Sequence, residues 1–144
     1  MPPRRLLDLV RSADPFSPTH RTWEPLPQMT MMHPTPVVFQ FRGKLYVGGG
    51  WPATDFAPSI VEVYDPASQV WSGTSMAEPR SCFFAAVAHG ERLFIIGGIS
   101  KLVGDVDAPS GAECLDLASG RWEALGHMSV GRASMFACVI ANGP

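Results

Sequence analysis

The 144-residue chain carries several groups that would do chemistry if the fold gathered them. Arg80 and Arg132 each follow a methionine, Met76 or Met128, by four positions. A guanidinium fork matches a carboxylate, so this pair would suit an acidic partner. An arginine that recurs also suits hydrogen bonds within a repeat, because binding residues should vary from copy to copy. The stretch GKLYVGGG (Gly43–Gly50) places three glycines behind an apolar run, as a phosphate cradle would. A phosphate loop needs Gly-Lys-Ser/Thr and then a helix, and neither follows. Asp105 and Asp107 offer oxygens to a cation, but too few ligands surround them. His20, His33, His89 and His127 show no metal-ligand spacing, and no serine elbow or Cys/His nucleophile arrangement is visible. No catalytic residue, metal or cofactor is therefore expected, and the glycines need a structural explanation.

Self-similarity along the chain supplies it. GKLYVGGG returns as GERLFIIGG (Gly90–Gly98), so that Gly49-Gly50 and Gly97-Gly98 lie 48 residues apart. SIVEVYDPASQVW (Ser59–Trp71) returns as GAECLDLASGRW (Gly111–Trp122), with Asp65 and Asp116 each six residues before tryptophan. An earlier copy holds Trp23 and Met29 in the same places, with His33 where the arginine stands later. Its first aspartate, Asp14, sits nine residues before Trp23 rather than six. From Gly49 to Asp65 is 16 residues, whereas from Gly97 to Asp116 is 19, so the length difference falls in one loop.

Each copy reads as four short strands. In the second, CFFAAVAH is apolar throughout and is expected to be buried on both faces; a His89-Gly90-Glu91 turn, RLFIIGG, AECLDL and RWEAL follow. Turn residues recur at all-β spacing, and no window holds a helical apolar period. A four-stranded unit recurring about every 50 residues predicts a blade of a β-propeller. The glycines then let neighbouring backbones pack closely and adopt positive φ. Trp71 and Trp122 would fill the space between adjacent sheets, Met76 and Met128 its irregular gaps. Asp65 and Asp116 would cap the turn after the third strand.

Composition limits the function. The apolar fraction is 46% and the net charge −2, which leaves no electrostatic footprint for nucleic acid or an anionic membrane. MPPRRLLDLV, interrupted by Asp8, is a poor signal peptide. Cys82, Cys114 and Cys138 are odd in number and form no CxxC motif, as expected of reduced thiols in a cytoplasmic or nuclear chain.

The double glycines after an apolar strand (Gly49, Gly50, Gly97, Gly98), the spacing from Tyr64-Asp65 to Trp71 and from Asp116 to Trp122, and the Met-then-Arg endings resemble kelch repeats. Leu115 departs from the pattern where the first repeat has Tyr64. The resemblance implies an all-β fold of kelch-type propeller blades, each of four antiparallel strands, in an incomplete ring. Its expected organisation is an N-terminal segment, 1–33, holding the last strand of a preceding blade and a poor third one; repeats at 34–76 and 81–128; and the first strand of a further blade at 133–144. Missing blades or self-association would be needed to close the ring.

Topology puts the loop between second and third strands on the same face as the loop between blades. The resemblance implies that this face holds a peptide segment of a protein partner. By position it nominates Trp51, Asp55, Ser81, Ser100, Lys101 and Ser134, with Arg80 and Arg132 beside them. Many kelch rings are joined to F-box or BTB domains as substrate receptors of ubiquitin ligases, and neither domain is visible here. Some kelch-like propellers are copper oxidases with a Tyr–Cys cross-link, but Tyr46 and Tyr64 do not suit that site. An interaction module without nucleic-acid or membrane partners is thus expected, the alternative being part of an enzyme or specifier protein acting on a small metabolite.

Overall fold

The computed structural model describes residues 11–34, 36–49, 60–76, 80, 83–99 and 108–140. Ten strands and no helix occur among them: β1 (Phe16–Ser17), β2 (Thr22–Trp23), β3 (Val37–Phe41), β4 (Lys44–Gly48), β5 (Ile60–Asp65), β6 (Val70–Ser75), β7 (Ala85–His89), β8 (Arg92–Ile96), β9 (Gly111–Asp116) and β10 (Arg121–His127). No helix among the described residues is long and apolar enough to cross a membrane. β3-β4-β5-β6 and β7-β8-β9-β10 are two four-stranded antiparallel meanders, and β1-β2 is a separate hairpin. These are two propeller blades and part of a preceding one, in a ring that is not closed.

Local sequence fixes the hairpins. Phe41 pairs with Lys44 across Arg42-Gly43, whose φ values of 48° and 74° are those of a type I′ turn. His89 pairs with Arg92 across Gly90-Glu91, with positive φ at Gly90 alone. A four-residue loop recurs after Ser17, Asp65 and Asp116, and its last residue is left-handed each time: Arg21 (φ 55°), Gln69 (φ 57°) and Gly120 (φ 69°). The amides of Gln69 and Gly120 each donate to the aspartate carbonyl at 2.8 Å. As expected, the carboxylates cap the turns. Asp65 Oδ1 accepts from the Ala67 amide, and Asp116 Oδ1 from those of Ala118 and Ser119.

The core lies between sheets. Tyr46, Val61, Met76, Phe84, Leu93, Ile95 and Leu115 form one buried cluster joining the two blades, with Trp122 packed against it. Met29, Val47, Tyr64 and Trp71 form a second, covered by Ala13 and Leu26 of the N-terminal segment. Both tryptophans and Met76 thus take the inter-sheet places their spacing predicts, while Met128 is half-buried.

Two expectations need correction. The innermost strands are not buried on both faces: in CFFAAVAH, Phe84 and Ala85 are buried, but Ala86–Ala88 are only half-buried. Ala86 borders the groove described below. The segment 133–144 carries no strand in its described part, 133–140, because no described strand pairs with it. Phe136 and Ile140 on it are 102% and 80% exposed. In the N-terminal copy β1-β2 pairs Phe16 with Trp23 as β5-β6 pairs Tyr64 with Trp71, and Ser17 stands where the later copies have the turn aspartate.

Left-handed backbone costs a non-glycine residue about 1–2 kcal/mol. Gln69→Gly, at an exposed site, should therefore raise unfolding stability by about 1 kcal/mol, read from urea denaturation. An unchanged midpoint would show that the side chain is not strained.

Candidate functional site

The loop face is organised by an acid–base clasp that occurs twice. In the second blade Arg80 is fully buried. Its Nε donates to Glu113 Oε1 at 2.9 Å, and its Nη1 to the carbonyls of Gly97 (2.5 Å) and Gly111 (3.0 Å). Gly97 directly follows the second strand and opens its glycine pair, and Gly111 opens the third strand, so one guanidinium holds both feet of the loop between them. The connector from the first blade is tied down by the same contact. The first blade repeats this with a shorter base. The His33 ring faces the Gly49 carbonyl through Nδ1 and Glu62 Oε2, at 2.9 Å, through Nε2. Glu62 also accepts from the amides of Thr30 (2.8 Å) and Met31 (2.9 Å).

Electrostatics follow from burial. Burial pushes the Glu62 carboxyl upward, but the amides of Met31 and Thr30 and the His33 ring outweigh it and hold the group below its ordinary value. The salt bridge with Lys44 and the Ala67 amide lower Asp65; the Ser119 amide and hydroxyl lower Asp116. Burial, and then the Glu123 charge, raise the Cys114 thiol, which makes it a poor nucleophile.

Arg80 is therefore not a partner-binding residue. Its guanidinium is fully buried and spent on the blade, which is the structural reading that its recurrence allowed. Arg132 is exposed, with Nη1 directed to Met128 Sδ at 3.8 Å. Ser134 is exposed with φ 54°, and its amide donates to the Phe83 carbonyl at 2.8 Å. Trp51, Asp55, Ser81, Ser100 and Lys101 lie outside the described residues, as do Gly50 and Cys82. Among the described residues no group of three His, Cys, Asp or Glu side chains converges to hold a metal.

Sequence reasoning missed Glu62 and Glu113. The available signal was an acid inside an otherwise apolar strand, three residues before Asp65 and Asp116 alike. Such a buried charge needs a buried partner. On the inner side the segments 36–38, 83–86 and 134–137 line an apolar groove of about 540 Å³. It is bounded by residues such as Val38, Phe83 and Met135, without a charged side chain.

Removing one partner of a buried ion pair costs about 3–5 kcal/mol. Arg80→Ala should lose that much stability, and Arg80→Ala with Glu113→Ala should lose clearly less than the sum of the single variants. Additive losses would show that the two groups do not act as a pair. Glu62 has a lowered folded pKa. Its contribution is thus present above the ordinary carboxylate value of about 4.3 and is lost as pH falls through the lower folded value. Glu62→Gln should flatten that acid limb in a pH series of urea midpoints, and an unchanged limb would assign it to other carboxylates.

Comparison with known proteins agrees with this geometry. The family model described as the kelch motif matches residues 80–129. Kelch-like protein 21 of Homo sapiens is 37% identical over 59 residues, which are 41% of this chain and 10% of that protein. N-acetylneuraminate epimerase of Pasteurella multocida is 34% identical over 87 residues, 53% of this chain and 23% of that protein. The chain thus spans less than a quarter of the length of these curated relatives. The solved structure titled "Structure of YjhT" shares the fold, with a TM-score of 0.64 and 19% identity over 85% of this chain and 45% of that one. Repeated glycines, tryptophans and clasps and blades of four antiparallel strands thus accompany a kelch motif at residues 80–129 and similarity to kelch-repeat proteins.

Proposed function

We propose that the chain is a protein-interaction module that holds a peptide segment of a partner on its loop face. The observation that carries this reading is the Arg80 clasp. It fixes Gly97 and Gly111, the feet of a loop that differs in length between the repeats, and so joins a rigid frame to a variable surface. Loops held in that way are suited to recognition. Similarity to a Kelch-like protein supports the same reading. Trp51 is the proposed aromatic anchor, with Asp55, Ser81, Ser100, Lys101, Arg132 and Ser134 as polar contacts around it. The chain works without catalysis on this reading, in the cytoplasm or nucleus, where the free thiols of Cys114 and Cys138 would stay reduced. A place as substrate receptor of a ubiquitin ligase rests on family analogy.

A second reading is part of a kelch-type enzyme acting on a small metabolite. Similarity to an N-acetylneuraminate epimerase favours it, and the apolar groove offers space beside the innermost segments.

The test is affinity capture from cell extract by the wild-type chain and by a Trp51→Ala/Lys101→Ala variant, followed by titration of the captured protein. The variant should bind at least tenfold more weakly, as expected for loss of an aromatic anchor. Equal binding by both would remove the loop face from recognition. Recovery of ligase scaffold components would support the receptor role. Epimerisation of N-acetylneuraminate by the purified chain would establish the second reading instead.

A further inference from the structure

The two clasps hold their loops with bases of different protonation chemistry. Arg80 reaches Glu113 and the carbonyls of Gly97 and Gly111 through donors that it never loses. His33 takes the same place in the first blade, four residues after Met29, and its side chain is fully buried. Nδ1 lies 2.5 Å from the Gly49 carbonyl oxygen and Nε2 lies 2.9 Å from Glu62 Oε2. A neutral imidazole has one N–H and one lone pair, whereas the imidazolium has two N–H groups. A backbone carbonyl only accepts, so the proton count of the clasp rests on Glu62.

Glu62 is held as the carboxylate. Its Oε1 accepts from the Thr30 amide at 2.8 Å and its Oε2 from the Met31 amide at 2.9 Å. Burial alone would raise this carboxyl, and the two amides with the ring outweigh it. Two acceptors therefore face the ring, and both contacts are hydrogen bonds only when the ring carries both protons. Among the described residues Glu62 is the titratable side chain that the ring touches. Tyr64 packs with Met29 in the adjacent apolar cluster, and Arg11 donates through Nε to the Met29 carbonyl at 2.8 Å. Loss of one ring proton sets a lone pair against an acceptor. The remaining N–H stays with the carboxylate, because a charge-assisted hydrogen bond is about twice as strong as a neutral one. The buried Gly49 carbonyl then loses the ring as its donor.

We infer that the clasp of the first blade is a pH-operated latch on the foot of its loop, whereas that of the second blade is permanent. With both protons on the ring, His33 ties Gly49, where the chain leaves β4, to Glu62 on β5. Imidazoles lose the second proton within the physiological range, and the foot at Gly49 is then released while the Arg80 clasp stays shut. The two groups act with opposite sign. Glu62 must be ionised, so its contribution is lost as pH falls; His33 must keep its second proton, so its contribution is lost as pH rises. The latch is closed between the two titrations. Where the reading of the loop face as a binding surface holds, the latch makes recognition by the first loop pH-dependent and leaves the second loop indifferent; the latch itself stands apart from that reading.

The experiment is a heteronuclear NMR titration of the full, isotope-labelled chain from about pH 5 to about pH 8, beside His33→Gln and His33→Arg variants. At the acid end both His33 ring nitrogens should carry protons, and one should lose its proton as pH rises. The Gly49 carbonyl carbon should shift with the same midpoint, while that of Gly97, held by Arg80, stays in place. In whichever variant folds, the Gly49 resonance should no longer follow pH; the wild-type titration decides the matter without them. A ring with a single N–H at the acid end overturns the inference. So do both protons persisting to the alkaline end, and a Gly49 carbonyl that ignores the titration of the ring or still titrates in the variants.

Discussion

The structure depends on how a charge is buried between the connector that enters a blade and the third strand of that blade. A β-sheet stacked on another sheet has only non-directional apolar contact to fix its angle and depth. Here a carboxylate on the third strand, Glu62 or Glu113, is buried with 0–1% exposure and demands a donor set at one place. His33 and Arg80 supply it, and in doing so contact the glycine carbonyl at the end of the second strand. The buried pair works as a registration device: apolar residues such as Val61 and Leu93 supply the burial, and the clasp selects one arrangement among those that apolar contact would tolerate.

The two clasps differ in chemistry. Arginine keeps its charge at any physiological pH and contacts two carbonyls and a carboxylate from one side chain. Histidine has two ring nitrogens and spends one on Gly49 and the other on Glu62; the backbone amides of Thr30 and Met31 make up the remaining contacts to the acid.

Blade architecture was legible in the sequence because it is written in periodic residues with strict conformational demands. Gly43, Gly90 and Gly120 mark left-handed turn positions, Asp65 and Asp116 supply turn caps, and Trp71 and Trp122 supply inter-sheet area. His33 was legible as the substitute for an arginine. The clasp itself was not, because its acid sits in an apolar strand whose alternation draws attention to Val61 and Tyr64 instead. The fate of 133–140 was illegible for a different reason: an apolar run has strand propensity alone, but a strand exists only against a hydrogen-bonding neighbour.

Arg80 grips the chain at Gly97 and again at Gly111, and the Gly97 amide donates directly to the Gly111 carbonyl at 3.1 Å. The span between them is closed at its base, like a purse with a fixed clasp. Closing a longer span adds only about 0.6 kcal/mol for each doubling of its length. Length and composition there are therefore nearly decoupled from the stability of the blade. Such a position lets the loop change while the scaffold beneath it is kept, and it offers an engineer a place to insert a foreign peptide without redesigning the sheet.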